Sequence, residues 1–162
     1  RLFFIEVMGR DAGHIALNTG VAAGAEEILI PEENLGLDRL IQSLKRSQKT
    51  GKSSSIVVVA EGDNTGENVF QLKDYVEKHL PDYEARVAVL GHMQRGGSPT
   101  CFDRVLASRL GVKAVESIID GETSSMVGLQ NNIIELTPFK KAIKGITKIN
   151  TELLKVSDIM SI

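Results

Sequence analysis

Apolar runs alternate with helix-spaced apolar positions along the chain. Leu2–Val7 reads as a strand, and Gly13–Ala23 as a helix rich in small residues. A short strand over Ile28–Ile30 stops at Pro31. Leu37, Leu40, Ile41 and Leu44 share one helical face, and Gly51 closes that helix. Ser55–Ala60 carries four β-branched residues in a row, the composition of a strand buried on both faces. Val69, Leu72, Val76 and Leu80 mark another helix, ended by Pro81. Arg86–Leu90 is the fourth strand, with Val87–Leu90 reading as a buried run. Phe102–Ile119 is the longest helical pattern, with Val105, Leu106, Leu110, Val115, Ile118 and Ile119 apolar. Met126–Leu129 and Ile133–Leu136 read as strands, Phe139–Ile143 opens a helix, and Thr147–Ile162 is weakly patterned. Such alternation predicts an α/β fold with a mostly parallel sheet covered by helices. No internal repeat, low-complexity tract or flexible linker interrupts it.

Polar residues collect where three of these strands end: Met8-Gly9-Arg10, Glu61, and His92 to Arg95. Open α/β sheets bind ligands at that carboxyl edge, and a crevice needs contributions from several strands. In Leu90-Gly91-His92-Met93-Gln94-Arg95-Gly96-Gly97-Ser98-Pro99, Arg95 offers a fork of donors suited to a phosphate, beside His92. The same stretch also reads as a Gly-Gly turn with a solvated arginine. Gly9 permits close approach to the backbone, the following helix start offers N–H groups to an anion, and Arg10 could stabilise developing negative charge. A surface arginine beside a tight turn is the alternative. Glu61, followed by Gly62, either accepts hydrogen bonds from sugar hydroxyls or faces water. Arg1 and Arg86 read as solvent-facing charges in a monomer, and His14 and His79 as structural or solvated residues.

Composition narrows the classes. The chain has 162 residues, 42% hydrophobic and 25% charged, enough for a sizeable core in an ordinary globular protein. A net charge of −2 argues against a protein built to bind nucleic acid, and no apolar run approaches a membrane span. The single cysteine, Cys101, has no partner for an internal disulfide, which fits a cytoplasmic location. A start on Arg1 directly before a strand, without an initiator Met, is read as a fragment of a longer chain.

Arg1, Met8-Gly9-Arg10, Gly24-Ala25-Glu26, Glu61, Arg86 and Gly91 to Pro99 occur in the order and spacing of bacterial ATP-dependent 6-phosphofructokinase, which the chain resembles over nearly its whole length. The likeness runs through Asp103-Arg104-Val105-Leu106-Ala107-Ser108-Arg109 to Val127-Gly128 and weakens after about Leu136. The resemblance implies a three-layer αβα phosphofructokinase-like fold with a mostly parallel sheet, as a fragment of a two-domain chain. Residues 1–93 would form the smaller, fructose 6-phosphate-binding domain. Residues 94–144 would belong to the larger ATP-binding domain, and 145–162 would return towards the smaller one.

The family transfers the γ-phosphoryl group of ATP to the 1-hydroxyl of fructose 6-phosphate in glycolysis. By resemblance, Glu61, His92, Met93, Gln94 and Arg95 would hold the sugar phosphate, Met8 and Gly9 would line the sugar, and Arg10 would sit near the transferred group. Arg1 and Arg86 would reach across an interface of a homotetramer to a neighbour's substrate. Gly24, Ala25 and Glu26 would form the metal-proximal corner of an allosteric site for ADP or phosphoenolpyruvate, with Lys52, Ser53 and Ser54 at its phosphates. Thr50 departs from the basic residue many relatives carry there. The family's main ATP- and Mg2+-binding residues and its catalytic base match nothing in this chain, and no metal ligands are assigned within it. A pyrophosphate-dependent kinase and a non-catalytic phosphometabolite-binding module are the competing readings.

Overall fold

The computed structural model describes residues 1–52, 54–145 and 148–160. It divides into two compact units, Arg1–Gly96 with the segment from Ile149 onward, and Gly97–Lys148.

The first unit begins with β1 (Leu2–Val7), α1 (His14–Ala23), β2 (Glu27–Leu29) and α2 (Gly36–Lys49). It continues with β3 (Ser55–Ala60), α3 (Val69–His79) and β4 (Ala85–Val89). The strands form one parallel sheet in the order β2-β3-β1-β4. β1 and β3 pair from Leu2 with Ser55 to Val7 with Ala60, so both strands end at the same edge. Parallel pairing requires crossovers, and each helix supplies one.

Alternation along the strands sends side chains to both faces. On one face Leu2, Phe4, Val57 and Val59 pack with Leu40 and Leu44 of α2 and Leu72 and Val76 of α3. On the other, Val7, Val58 and Ala60 pack with Ala16 and Leu17 of α1. Leu153 and Leu154 reinforce that second layer. They belong to a helix over Thr151–Met160 that the weak apolar spacing of the tail does not predict. Its Asp158 pairs with Arg39 of α2. The αβα layering expected from the sequence is thus present, with Phe4 fully buried in the first core.

One expectation needs correction. The fourth strand spans Ala85–Val89 and lies at the sheet edge, with Val89 49% exposed, so it is not buried. An apolar run records composition alone and does not say which strand stays outermost. Thr147, Ser161 and Ile162, part of the predicted tail, lie outside the described residues.

The second unit holds the long helix α4 (Cys101–Ile119), the antiparallel pair β5 (Ser125–Gln130) and β6 (Ile133–Pro138), and the short helix α5 (Phe139–Ala142). The helix over Thr151–Met160 is α6. Thr100 and Asp103 close a reciprocal capping box on α4. Asn131 and Asn132, both at positive φ, make the tight turn between β5 and β6, and Arg109 grips Asn132 O at 2.8 Å. α4 leaves Phe102, Val105, Val115, Ile118 and Ile119 exposed.

Candidate functional site

Three strand ends meet at one edge of the first unit, and the contacts joining them involve side chains distant in sequence. β3 ends at Ala60, whose neighbour Glu61 donates its N–H to Val7 O at 2.9 Å. Its carboxylate then turns onto the loop leaving β1. Oε1 accepts from Gly9 N at 3.1 Å and from Arg10 N at 2.7 Å. β4 leads into a 3-10 turn over Gly91–Arg95, from which Gln94 Oε1 accepts the Met8 N–H at 2.8 Å. The Met8-Gly9-Arg10 arch is therefore held from two sides by side chains of two other strand ends.

The arch needs that support because Arg10 has φ +52°, the left-handed region that L-residues disfavour. Two glycines make room for it. A Cβ on Gly62 would meet Arg10 O at 1.9 Å, and one on Gly9 would meet Ala12 O at 2.2 Å. Gly62, which the sequence shows only as the neighbour of Glu61, is required by this close approach.

Beside the arch lies a cavity of about 520 Å3. Met8, Gly9 and Arg10 form one wall, Glu61 and the pair Gln94 and Arg95 form others, and Ile15 closes it from α1. The two backbone N–H bonds to the Glu61 carboxylate hold its pKa below the usual range, Arg10 first and Gly9 next, with the Arg95 and Arg10 charges adding to them. Glu61 is thus a hydrogen-bond acceptor under the influence of the Arg10 and Arg95 charges, in a recess that offers a ligand both an acceptor and cationic donors.

One N–H group at the start of α1 is already taken. The Gly13 N–H just before α1 goes to the Glu32 carboxylate, at 2.9 and 3.0 Å from its two oxygens. The amino end of α1 already carries an internal anion, and the arginines are the groups that offer positive charge to a ligand.

The other expected residues divide by position. His92 and Met93 lie on the 3-10 turn but do not line the cavity, and Met93 is 78% exposed. Arg1 and Arg86 stand at the amino ends of β1 and β4, away from it. Arg86 pairs with Glu84 at 2.6 Å. Gly24, Ala25 and Glu26 follow α1, with Gly24 as its left-handed cap. Buried Glu26 pairs with Lys52 at 3.3 Å and accepts the Ile56 N–H with its other oxygen. Ser54 lies exposed beside this corner, and Ser53 falls outside the described residues. Ile15 is the cavity residue that sequence reasoning missed. Its signal was a large apolar side chain off the buried Ala16–Leu17 stripe of its helix.

Known proteins resemble this chain in sequence and in fold. The sequence profile described as Phosphofructokinase matches residues 1–118. The chain belongs to the phosphofructokinase family. It is 50% identical over 162 residues to the ATP-dependent 6-phosphofructokinase 1 of Thermus thermophilus, covering all of this chain and 50% of that protein. It is 45% identical to the ATP-dependent 6-phosphofructokinase 2 of Bacteroides thetaiotaomicron, covering 100% of this chain and 49% of that one. Among solved structures, Pichia pastoris phosphofructokinase in the T-state superposes with a TM-score of 0.78 at 30% identity, over 99% of this chain and 18% of that one. The chain spans about half the length of the curated relatives it matches.

Among the described residues no helix is long and apolar enough to cross a membrane, and no group of three or more His, Cys, Asp or Glu side chains is gathered to hold a metal ion.

Proposed function

We propose that this chain supplies the fructose 6-phosphate side of an ATP-dependent 6-phosphofructokinase. The observation that carries the reading is the convergence of three strand ends on one recess, with Glu61 and Gln94 holding the Met8–Arg10 arch and Arg95 beside them. Family membership and the names of the bacterial relatives support the same substrate.

In the reaction, the sugar's 1-hydroxyl oxygen bonds to the γ-phosphorus of ATP as the bond to the bridging oxygen of ADP breaks. The hydroxyl proton goes to a base outside this chain. Arg95 binds the sugar phosphate as a fork of donors; His92, on the same turn but outside the cavity lining, is assigned to the same phosphate. Glu61 and the arch, including Met8 and Gly9, orient the sugar. Arg10 faces the charge that builds on the transferred group. Positioning and charge neutralisation carry most of phosphoryl transfer, so these are the contributions a binding half can make.

Mg2+ would neutralise phosphate charge in such a reaction. The described residues offer no ligand cluster for it, and no step here is assigned to a metal held by this chain. Arg1 and Arg86, remote from the cavity of their own chain, are assigned to a neighbouring subunit's substrate in a homotetramer. Gly24 to Glu26 and Lys52 to Ser54 are assigned to an effector site for ADP or phosphoenolpyruvate. In it the Lys52–Glu26 pair would have to exchange partners when a ligand arrives. We assign the first unit to the smaller domain, the second to the larger ATP-binding domain, and the enzyme to the cytoplasm.

The test is calorimetric titration of fructose 6-phosphate into a full-length phosphofructokinase carrying this chain. Saturable binding that is lost in Arg95→Ala is the expected result; binding indifferent to that substitution contradicts the site.

A further inference from the structure

Among the residues of α1, the cavity is lined by one, Ile15. With the Gly13 N–H donated to Glu32, what the first turn brings to the recess is Ile15. Side chains on a helix lean towards its amino end, and that end lies at the same edge of the sheet as the arch and Glu61. Ala16 and Leu17 are fully buried against the sheet, while Ile15 is 42% exposed and turned to the cavity. The same cavity is lined by the polar groups Arg95, Gln94 and Glu61.

We propose that Ile15 is a specificity-determining contact. Its side chain packs on the hydrocarbon face of the sugar phosphate and makes the cavity favour a ligand with a carbon skeleton over bare phosphate. This rests on the sugar-phosphate reading of the cavity. A sugar phosphate presents C–H surface as well as hydroxyls and charge, and binding recesses combine apolar walls with a few placed polar groups. A β-branched residue in a helix is nearly fixed at χ1, so Ile15 is a rigid wall. Met8, the other apolar side chain of the recess, has three rotatable bonds and adapts to whatever the wall admits.

The experiment compares two probes, fructose 6-phosphate and inorganic phosphate, by calorimetry on a full-length phosphofructokinase carrying this chain. Parent, Ile15→Val and Ile15→Ala are titrated, with a thermal melt of each to confirm folding. The expected result is weaker fructose 6-phosphate binding, by roughly threefold to tenfold in Ile15→Ala and less in Ile15→Val, with inorganic phosphate unchanged. Unchanged sugar-phosphate affinity in Ile15→Ala overturns the inference, as does an equal loss for both probes. Absence of sugar-phosphate binding in the folded parent overturns the reading of the cavity itself, and the inference with it.

Discussion

Glu61 Oε1 accepts the Arg10 backbone N–H at 2.7 Å, across 51 residues of sequence. That bond ties the end of β3 to a left-handed residue at the end of β1, so one carboxylate both shapes the arch and lines the cavity. Glu61→Gln keeps an acceptor oxygen but loses the charge that strengthens both amide bonds. Glu61→Ala loses both. The expected order of fructose 6-phosphate affinity is parent, then Gln, then Ala. Hydrogen exchange of the Gly9 and Arg10 amides should quicken in the same order. Exchange rates unchanged in Glu61→Ala would remove Glu61 from its supporting role.

Gly62→Ala should destabilise the protein by about 1–3 kcal/mol, because the new Cβ collides with a backbone oxygen that has no rotamer to escape by. The collision is with Arg10 O at 1.9 Å. Gly111→Ala is the control, since nothing lies within 4 Å of a Cβ there and the site is inside α4. It should be neutral or stabilising by up to about 1 kcal/mol. Urea denaturation of the two variants beside the parent checks both values.

Glu6 and Glu61 should affect stability with opposite dependence on pH. Burial first, and then the Glu61 charge, raise the Glu6 pKa above its ordinary 4.5. The folded state therefore holds this proton longer than the unfolded one, and stability falls as pH rises from 4.5 through the raised folded value. Glu6→Gln removes that cost, so its stability advantage over the parent should grow across this window and then level off. Glu61, with its lowered pKa, contributes stability that is present above the ordinary carboxylate value and lost as pH falls through the folded one. Denaturation midpoints from pH 2 to 8 read both trends, the Glu61 one below 4.5 and the Glu6 one above it; a Glu6→Gln advantage independent of pH would contradict the burial argument.

Arg86 pairs with Glu84 at the far end of the sheet from the cavity, and the ligand proposed for it is a neighbouring subunit's substrate. Arg86→Ala and Arg95→Ala should each cripple a full-length enzyme. Mixed oligomers of the two should regain part of the activity, because some interfaces then hold both native arginines. Mixed oligomers that assemble without any recovery would refute the cross-subunit assignment.

Much of this was legible in the sequence where one physical cause dominates. Leu2–Val7 and Ser55–Ala60 match β1 and β3 because strands covered on both faces are mostly apolar, as Leu2–Ile5 and Ile56–Ala60 are. β4 also carries an apolar run, Val87–Val89, but whether a strand is central or at an edge is decided by pairing order, which no local pattern records. α6 escaped because its Leu153 and Leu154 are adjacent and its other apolar residues are largely exposed. Within the site, Arg10, Glu61 and Arg95 announced themselves as charges at strand ends. Three relationships did not: Glu32 on Gly13, the Gly62 approach to Arg10, and Ile15 in the cavity wall. Each joins residues that only the fold makes neighbours.

The central claim is that Arg95 binds the sugar phosphate while the nucleotide is held elsewhere. Steady-state kinetics of Arg95→Ala in a full-length phosphofructokinase carrying this chain test it most directly. Losing a charge-assisted phosphate contact costs on the order of 2 kcal/mol or more, which is roughly a thirtyfold rise in the fructose 6-phosphate requirement. The expected result is that rise with the ATP requirement nearly unchanged. An unaltered fructose 6-phosphate dependence, or a loss confined to ATP, would contradict it.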